Sequence, residues 1–333
     1  MKDPQNMLGS IKMIPQQIQE ALDAINKISF SEDYKQIKNI IVSGMGGSAL
    51  GAHVIKSLYA NEIKVPLEIV NDYHLPAYAD NETLVILSTY SGSTEETLSC
   101  AQECLQKKTK VIGITTGGQL EQFLKENNFP YYKINPLSNP CGQPRIALGY
   151  SIFGQIAILN KIGLLNVNLP ELDKLNIENI EKNAEQMAEK LHNKQVAIMG
   201  AEHLSGNAHI AANQLNENAK NFAAYFLLSE LNHHLMEGLQ FPLSNKDNLI
   251  FFLINSPLYS EKIQKRIVIT KDIIGQNGLM TQEYLTHGES KLSDVVETLL
   301  LSSFLSFYLS QQNSVDPSPI PWVDYFKGQL SGY

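Results

Sequence analysis

The chain has 333 residues, which is long enough for two domains with separate buried cores. Its hydrophobic fraction of 43% and charged fraction of 18% are typical of a soluble globular protein. A formal net charge of −8 argues against broad binding of nucleic acid. The three cysteines form no CxxC pair, which favours reduced thiols over a disulfide framework and predicts a cytoplasmic protein.

Nothing in the sequence predicts a membrane segment. The first residues are polar with no apolar signal core after them, and no run reaches the roughly 20 apolar residues of a membrane helix. The apolar stretch Leu299–Leu309 contains three serines and is too short. We therefore predict that it is a buried helix and that the protein has no membrane partner.

In the first half, apolar periodicity over 11–28 predicts a helix, after which apolar runs alternate with helical patterns. The predicted strands are 39–43, 66–70, 83–88, 110–114 and 130–134. The predicted helices are 48–59, 94–107, 119–127 and 147–163. This alternation is typical of a parallel sheet with right-handed crossovers. Residues 166–175, with a proline and little periodicity, are the predicted linker.

The second half repeats the opening order of helix, buried strand, glycine turn and helix. Its predicted elements are helix 177–192, strand 195–199, helix 207–220, strand 248–254, strand 266–270 and helix 291–310. The repeat is one of architecture, because the turn that begins at Gly200 lacks the Gly-Gly-Ser of the first half. We predict two doubly wound α/β domains with parallel sheets flanked by helices, over 1–165 and 166–333.

A glycine-rich turn, Gly44-Met-Gly-Gly-Ser48, follows the first predicted strand and leads into a helix. Such a turn leaves backbone N–H groups unpaired, and the helix dipole favours an anion in front of them. We therefore predict an anion site in which Gly46 and Gly47 donate backbone N–H groups and Ser48 adds a hydroxyl.

A second loop, Ser88–Glu96, carries hydroxyls at the end of another predicted strand. A single residue such as Thr94 would be an ordinary helix N-cap, but several hydroxyls around Gly92 exceed what capping needs. We predict phosphate contacts from Thr89, Ser91 and Thr94. Two anion loops in one sheet indicate a phosphorylated small molecule as the ligand.

An alternative stays open at this point. The residues from Gly44 to Ala49 also satisfy the G-x-G-x-x-A pattern of a dinucleotide-binding turn. Asp72, after the next predicted strand, is then the candidate acid for the ribose hydroxyls of NAD. The hydroxyl-rich second loop favours the phosphate site over this alternative.

The two loops together resemble the sugar isomerase (SIS) domain, and the whole chain resembles bifunctional phosphoglucose/phosphomannose isomerases. Further similar segments follow in the family's order over nearly the whole length: Asn139-Pro-Cys-Gly-Gln-Pro-Arg145, Asn216-Glu-Asn-Ala-Lys220, Ser229-Glu-Leu-Asn-His233 and Asp316-Pro-Ser-Pro with Lys327. The resemblance implies two SIS domains and metal-free, reversible conversion of glucose 6-phosphate to fructose 6-phosphate through a cis-enediol(ate). It also implies activity on mannose 6-phosphate.

The resemblance also implies the roles of four residues. Glu217 is the expected base, Arg145 the cation beside the developing oxyanion, and His233 and Lys327 the groups that open the sugar ring. Taken alone, Glu217 would be a solvated helix residue and Lys327 a solvated tail lysine. Partial burial of Glu217 would raise its pKa and make it a stronger base.

The family pattern places His233 in the site of the neighbouring subunit, which implies a homodimer with a shared site. His233 and Glu237 are spaced as two metal ligands on a helix, but no third ligand is evident, so we expect no metal and no other cofactor. The sequence departs from the family at three positions: His234 replaces asparagine, Ser318 replaces threonine and Thr89 replaces serine. The remaining alternatives are a non-catalytic sugar-phosphate-binding protein and an NAD-dependent enzyme.

Overall fold

The computed structural model describes residues 1–168 and 175–330, so most of the predicted linker lies outside the described residues. The strands of the first half are β1 (Asn39–Ser43), β2 (Leu67–Val70), β3 (Thr83–Ser88), β4 (Lys110–Thr115) and β5 (Tyr131–Lys133). Its helices are α1 (Met7–Lys12), α2 (Ile14–Asn26), α3 (Gly47–Leu58), α4 (Glu95–Lys107), α5 (Gly118–Glu126) and α6 (Leu148–Lys161).

The first sheet has the order β2-β1-β3-β4-β5, and all its strands are parallel. Strand β3 is buried along its whole length, as expected for a central strand covered by helices on both faces. The strand order reverses between β1 and β3, and the loops that follow these two strands therefore meet at the carboxyl edge of the sheet. This edge carries both predicted anion loops.

The second half repeats the arrangement with four strands. They are β6 (Gln195–Ala201), β7 (Ala223–Leu228), β8 (Leu249–Asn255) and β9 (Met280–Leu285). The helices are α7 (Ile177–Leu191), α8 (Ser205–Glu217), α9 (Asn245–Asn248), α10 (Glu261–Gln276), α11 (Lys291–Gln312) and α12 (Pro321–Leu330). The parallel sheet has the order β7-β6-β8-β9. The predicted fold class is confirmed, whereas the boundary between residues 165 and 166 stays a prediction.

Two predicted elements are wrong. The apolar run over 266–270 is not a strand but part of α10, because Ile263, Ile267, Thr270 and Ile274 are buried at helical spacing. The β-branched run is two-faced, and Val268 remains 68% exposed on the outer side of the helix. The single helix predicted over 11–28 is two helices, α1 and α2, which meet at Met13 just before a proline.

The longest helix, α11, lies in the middle of the second half. It is long and apolar enough by length and composition to cross a membrane, but 89% of its apolar window is buried inside the protein. The prediction of a buried helix over Leu299–Leu309 is therefore confirmed. Helix α7 packs along one side of α11, and α8 packs along another.

The two halves share one continuous apolar cluster, which includes residues of both sheets and of the helices between them. Helices α3 and α8 pack against each other at this junction. A Cβ atom at Gly206 would lie only 2.5 Å from the backbone of Val54, so a glycine is required where the two helices approach. The close packing brings the end of α8 near the loops of the first sheet.

Candidate active site

The glycine turn after β1 has the open geometry that an anion site needs. Gly46 is the N-cap of α3 and has φ +49° and ψ −129°, a conformation that only glycine adopts readily. A Cβ atom there would meet nothing within 4 Å, so the space in front of the helix is free. At Gly47, by contrast, a Cβ atom would lie 3.0 Å from the carbonyl oxygen of Pro144. The turn therefore packs directly against the segment that carries Arg145.

Ser48 connects the first loop to the second. Its Oγ accepts a hydrogen bond from the Tyr90 backbone N–H at 3.0 Å, and its carbonyl oxygen accepts one from the Ser88 hydroxyl at 2.9 Å. Because its Oγ already accepts, the Ser48 hydroxyl hydrogen remains available for donation to a ligand. The two predicted loops thus form one structural unit.

The hydroxyls of the second loop are grouped but not equivalent. Thr89 is buried and lies 2.7 Å from Thr94, hydroxyl to hydroxyl, so it orients Thr94 rather than facing solvent. Thr94 occupies the N-cap position of α4 but its side chain makes no capping bond. Ser91 is exposed and accepts hydrogen bonds from Ser93. Ser91 and Thr94 therefore stand as the candidate donors at the start of α4.

Gly92 packs this loop tightly against the turn that follows β4. Its φ is +72°, and a Cβ atom would lie 1.8 Å from the carbonyl oxygen of Gly117, far inside van der Waals contact. The backbone N–H of Leu120 donates to the Gly92 carbonyl at 2.9 Å. The loop is therefore held by the neighbouring turn after β4 and needs glycine at this position.

Arg145 is almost fully buried, with 1% of its surface exposed, although it is a charged residue. Burial lowers the pKa of its guanidinium, while the nearby Glu217 carboxylate opposes that change. Its guanidinium donates to four oxygen atoms. Two are side-chain amide oxygens, Asn218 Oδ1 and Gln143 Oε1 (2.7 Å), and two are backbone carbonyl oxygens, those of Pro317 (2.9 Å) and Ser318 (2.7 Å). A buried guanidinium with this many partners has one orientation.

Glu217 is the last residue of α8, and its carboxylate Oε2 lies 3.5 Å from Arg145 Nη1. Its side chain is 30% exposed, so the carboxylate is partly buried but still reachable from solvent. Burial raises the pKa of Glu217, while the positive charges of Arg145, Lys220 and Lys327 oppose the rise in that order. The structure brings together the predicted base and the predicted oxyanion cation.

Two lysines add positive charge around this pair. Lys220 donates to the carbonyl oxygens of Glu217 and Pro317, and burial with the neighbouring Arg145 lowers its pKa to about 8. Lys327 is exposed on α12 and acts on Glu217 through its charge. Lys220 has no role in the sequence predictions, although it lies within a segment that resembles the family.

A chain of hydrogen bonds links the hydroxyl-rich loop after β3 to Arg145. The Asn139 amide donates to the Tyr90 hydroxyl at 3.0 Å and to the Gln143 carbonyl at 3.2 Å, and Gln143 in turn accepts from Arg145. Sequence reasoning gave no role to Tyr90, Asn139 or Gln143. The signal was present, since two of them lie in the segment Asn139–Arg145, but their partners are distant in sequence.

His233 lies apart from these groups. It is exposed in a short 3-10 turn over Glu230–His233, and His234 beside it is exposed as well. Within residues 1–168 and 175–330, no hydrogen bond or ion pair joins His233 to Glu217, Arg145 or Lys327. The same described residues contain no group of three or more His, Cys, Asp or Glu side chains that could hold a metal ion.

Of the other departures from the family pattern, Ser318 is buried and serves Arg145 through its carbonyl oxygen. Its backbone N–H donates to the Asp316 carboxylate at 2.9 Å, while its hydroxyl oxygen has no hydrogen-bond partner in the part of the chain that the structure describes. The backbone role does not depend on the side chain. Serine in place of threonine therefore leaves the contact with Arg145 intact.

Comparisons with known proteins identify the domains of both halves. Residues 33–123 match the SIS domain, and residues 180–330 match the bacterial phospho-glucose isomerase C-terminal SIS domain. The chain is similar over 94% of its length to the C-terminal domain of glucosamine-fructose-6-phosphate aminotransferase from Francisella tularensis, with a TM-score of 0.71. The match includes 98% of that chain. The sequence identity is 14%, so this likeness supports the fold alone. The protein is thus a tandem SIS-domain protein.

Relatives in sequence narrow the class further. The chain is 32% identical to the bifunctional phosphoglucose/phosphomannose isomerase of Caldicellulosiruptor bescii, over 98% of this chain and 99% of that protein. It is 30% identical to the enzyme of the same name from Aquifex aeolicus, over 90% and 92% of the two chains. The chain belongs to the bifunctional phosphoglucose/phosphomannose isomerase family.

Proposed function

We propose that the protein catalyses the reversible, metal-free isomerisation of glucose 6-phosphate, and of mannose 6-phosphate, to fructose 6-phosphate through a cis-enediol(ate). The observation that carries the proposal is the pairing of a half-buried carboxylate, Glu217, with a fixed guanidinium, Arg145, 3.5 Å away. This pair lies at the end of the hydrogen-bond chain that starts at the phosphate loops.

The reaction moves one proton between C1 and C2, and a second between O1 and O2, of an open-chain sugar phosphate. Ser48, Ser91 and Thr94, with the N–H groups of Gly46 and Gly47, hold the phosphate and fix the distance to the reacting carbons. Thr89 supports the hydroxyl of Thr94 from behind. The phosphate loops therefore act by positioning.

Glu217 takes the proton from one carbon and returns it to the other. Its raised pKa makes it a stronger base than a solvated glutamate, and the positive charges of Arg145, Lys220 and Lys327 oppose that rise. The Arg145 guanidinium stabilises the oxyanion that develops on the adjacent oxygen. Rotation about the C1–C2 bond would let the same base serve glucose 6-phosphate and mannose 6-phosphate.

Ring opening is assigned to Lys327 and to His233 of a second copy of the chain. His233 is exposed and, within the described residues, makes no hydrogen bond or ion pair with Glu217, which is consistent with a role across a dimer interface. Helix α12, which carries Lys327, has no buried residue and exposes Trp322, Tyr325 and Phe326 by 83%, 62% and 62%. Aromatic surface of this kind supports a homodimer in which α12 is covered.

We also place the protein in the cytoplasm. The thiols of Cys100, Cys104 and Cys141 are all free and buried, which suits a reducing compartment.

The test is incubation of the purified protein with fructose 6-phosphate and a chelator, with both aldoses identified by NMR. We expect glucose 6-phosphate and mannose 6-phosphate to form. Binding of fructose 6-phosphate without turnover would support a sugar-phosphate sensor instead. Calorimetric binding of a nicotinamide dinucleotide, with no binding of hexose phosphate, would support the NAD-dependent alternative; either result overturns the proposal.

A further inference from the structure

Asn218, the residue after Glu217, is fully buried and bonds on both sides of its amide. Its Oδ1 accepts a hydrogen bond from Arg145 Nε, and its Nδ2 donates to Ser306 Oγ on α11 at 2.9 Å. An amide placed in this way has both of its polar atoms committed. Asn218 therefore connects the guanidinium of Arg145 to α11 through two hydrogen bonds.

Helix α8, which ends next to Asn218, also contacts the main chain of Arg145. Gln214 lies one turn before Asn218, and its Nε2 donates to the Arg145 carbonyl oxygen at 3.0 Å and to Ser303 Oγ at 2.9 Å. Helix α8 thus grips Arg145 at its backbone and at its guanidinium, and it carries Glu217 between the two contacts. Base and cation share one support.

The hydrogen-bond inventory of the guanidinium shows what Asn218 controls. Arginine has five side-chain N–H donors. Nε is bonded to Asn218, Nη2 donates to the carbonyls of Pro317 and Ser318, and Nη1 donates to Gln143. The remaining Nη1 donor is the one beside Glu217, at 3.5 Å from its carboxylate. Loss of the contact with Asn218 removes the hydrogen bond of Nε, the guanidinium nitrogen that is attached to the rest of the side chain.

We propose that Asn218 is a positioning residue that holds the Arg145 guanidinium against Glu217 and against the oxyanion of the substrate. The inference deepens the proposed function and rests on it. Asn218 touches neither substrate nor reacting atoms; it acts through Arg145.

Two measurable consequences follow. Arg145 is the strongest of the three cations that oppose the raised pKa of Glu217, so a displaced guanidinium leaves that pKa higher. The base is then protonated at a higher pH, and the acid limb of kcat/KM moves upward. The phosphate loops do not involve Asn218, so the KM for hexose phosphate should change little while kcat falls.

The test compares Asn218→Ala with Asn216→Ala in the full-length protein. Asn216 is the matched control, because it precedes Glu217 as Asn218 follows it, and among the described residues its side chain bonds only to the backbone of Ala212 and Ala223. For Asn218→Ala we expect kcat to fall about 10- to 100-fold, since a misplaced catalytic group costs up to about 10²-fold. We expect a KM within about threefold of the wild-type value and an upward shift of the acid limb.

A second readout is independent of activity. The carboxyl carbon of Glu217, followed by ¹³C NMR, should titrate at a higher pH in Asn218→Ala than in the wild-type protein and should not move in Asn216→Ala. If the wild-type protein lacks isomerase activity, the proposed function fails while this titration still tests the positioning of Arg145. If Asn218→Ala does not fold, Ser306→Ala should show the same shifts at smaller amplitude.

Equal losses of kcat in the two asparagine variants, with unchanged pH profiles, would overturn the proposal. So would a large rise in KM at constant kcat, because that result would place Asn218 in substrate binding. An unmoved Glu217 titration in Asn218→Ala, or in Ser306→Ala where that variant replaces it, would also contradict it.

Discussion

The turns that follow β1 and β6 occupy equivalent places in the two halves, yet they differ in what fills the space in front of the neighbouring helix. After β1 the turn has Gly46 at its bend, and in the neighbouring loop after β3 the Ser93 hydroxyl donates to the Ser91 hydroxyl. After β6 the turn has Glu202, with φ +41°, whose carboxylate accepts from the backbone N–H and the hydroxyl of Ser260. Ser260 is the N-cap of α10.

The difference shows how one fold supports two roles. In the second half a carboxylate of the protein itself already satisfies the helix N-terminus, whereas the first half leaves that position open for an anion. The second half contributes Glu217 instead, from the far end of α8. The proposed site therefore lies at the junction, with the proposed anion loops from one half and the proposed base from the other.

The largest expected effect is a loss of activity on substitution of Glu217 that does not occur on substitution of Glu202. Glu217→Gln removes the base but keeps the shape of the side chain, so activity should fall roughly 10²- to 10⁴-fold with binding of fructose 6-phosphate retained. Glu202→Gln, in the equivalent turn of the other half, should leave kcat unchanged. Full activity of Glu217→Gln by product NMR would discard the assigned base.

A stability measurement sharpens the comparison of the loops. Gly92→Ala should destabilise the protein by about 3 kcal/mol or more, because a positive φ and a clash with the Gly117 backbone combine. The matched variant Gly163→Ala has a similar φ of +80° but nothing within 4 Å, so it should cost only about 1 kcal/mol. Equal free energies of unfolding from chemical denaturation would show that the Gly117 contact does not constrain the loop.

The loss of one hydroxyl that donates to the phosphate should have a smaller effect on activity. Ser48→Ala should raise the KM for fructose 6-phosphate about tenfold with a lesser change in kcat, since a hydrogen bond to a charged group contributes about 1.5–3 kcal/mol. Ser260→Ala removes the serine at the closed position of the second half and should leave KM unchanged. A KM that responds equally to both variants would contradict the assignment of phosphate binding to the first half.

The smallest effect concerns pH. Because burial raises the pKa of Glu217, kcat/KM should decline on the acid side at a pH above the ordinary glutamate pKa of about 4.3. Lys220 opposes that rise through its charge, so Lys220→Met should move the acid limb slightly further up. A limb that moves down in this variant would show that Lys220 does not act on the base electrostatically.

Much of the fold follows from local pattern, and its failures have local causes. Strand–helix alternation predicted the parallel sheets, because buried central strands are continuous apolar runs. Residues 266–270 failed because a β-branched run on an amphipathic helix has the composition of a strand. The strand Ala223–Leu228 was not predicted, although its six residues are all apolar; it is an edge strand, and its Tyr225 is 37% exposed.

The candidate site divides in the same way. The glycine and hydroxyl loops were predictable because their backbone requirements are local. Glu217 looked like a solvated residue until the family resemblance was considered, because its burial depends on Arg145, 72 positions earlier in the chain. Asn218 and Gln143 lie in segments that resemble the family, but their roles could not be predicted because they depend on contacts with that arginine.

The most direct test of the central claim is a crystal structure of Glu217→Gln with fructose 6-phosphate bound. The account predicts phosphate oxygens about 2.6–3.2 Å from the hydroxyls of Ser48, Ser91 and Thr94, with C1 and C2 between residue 217 and the Arg145 guanidinium. A phosphate bound away from both loops, or a sugar chain directed away from Arg145, would contradict it.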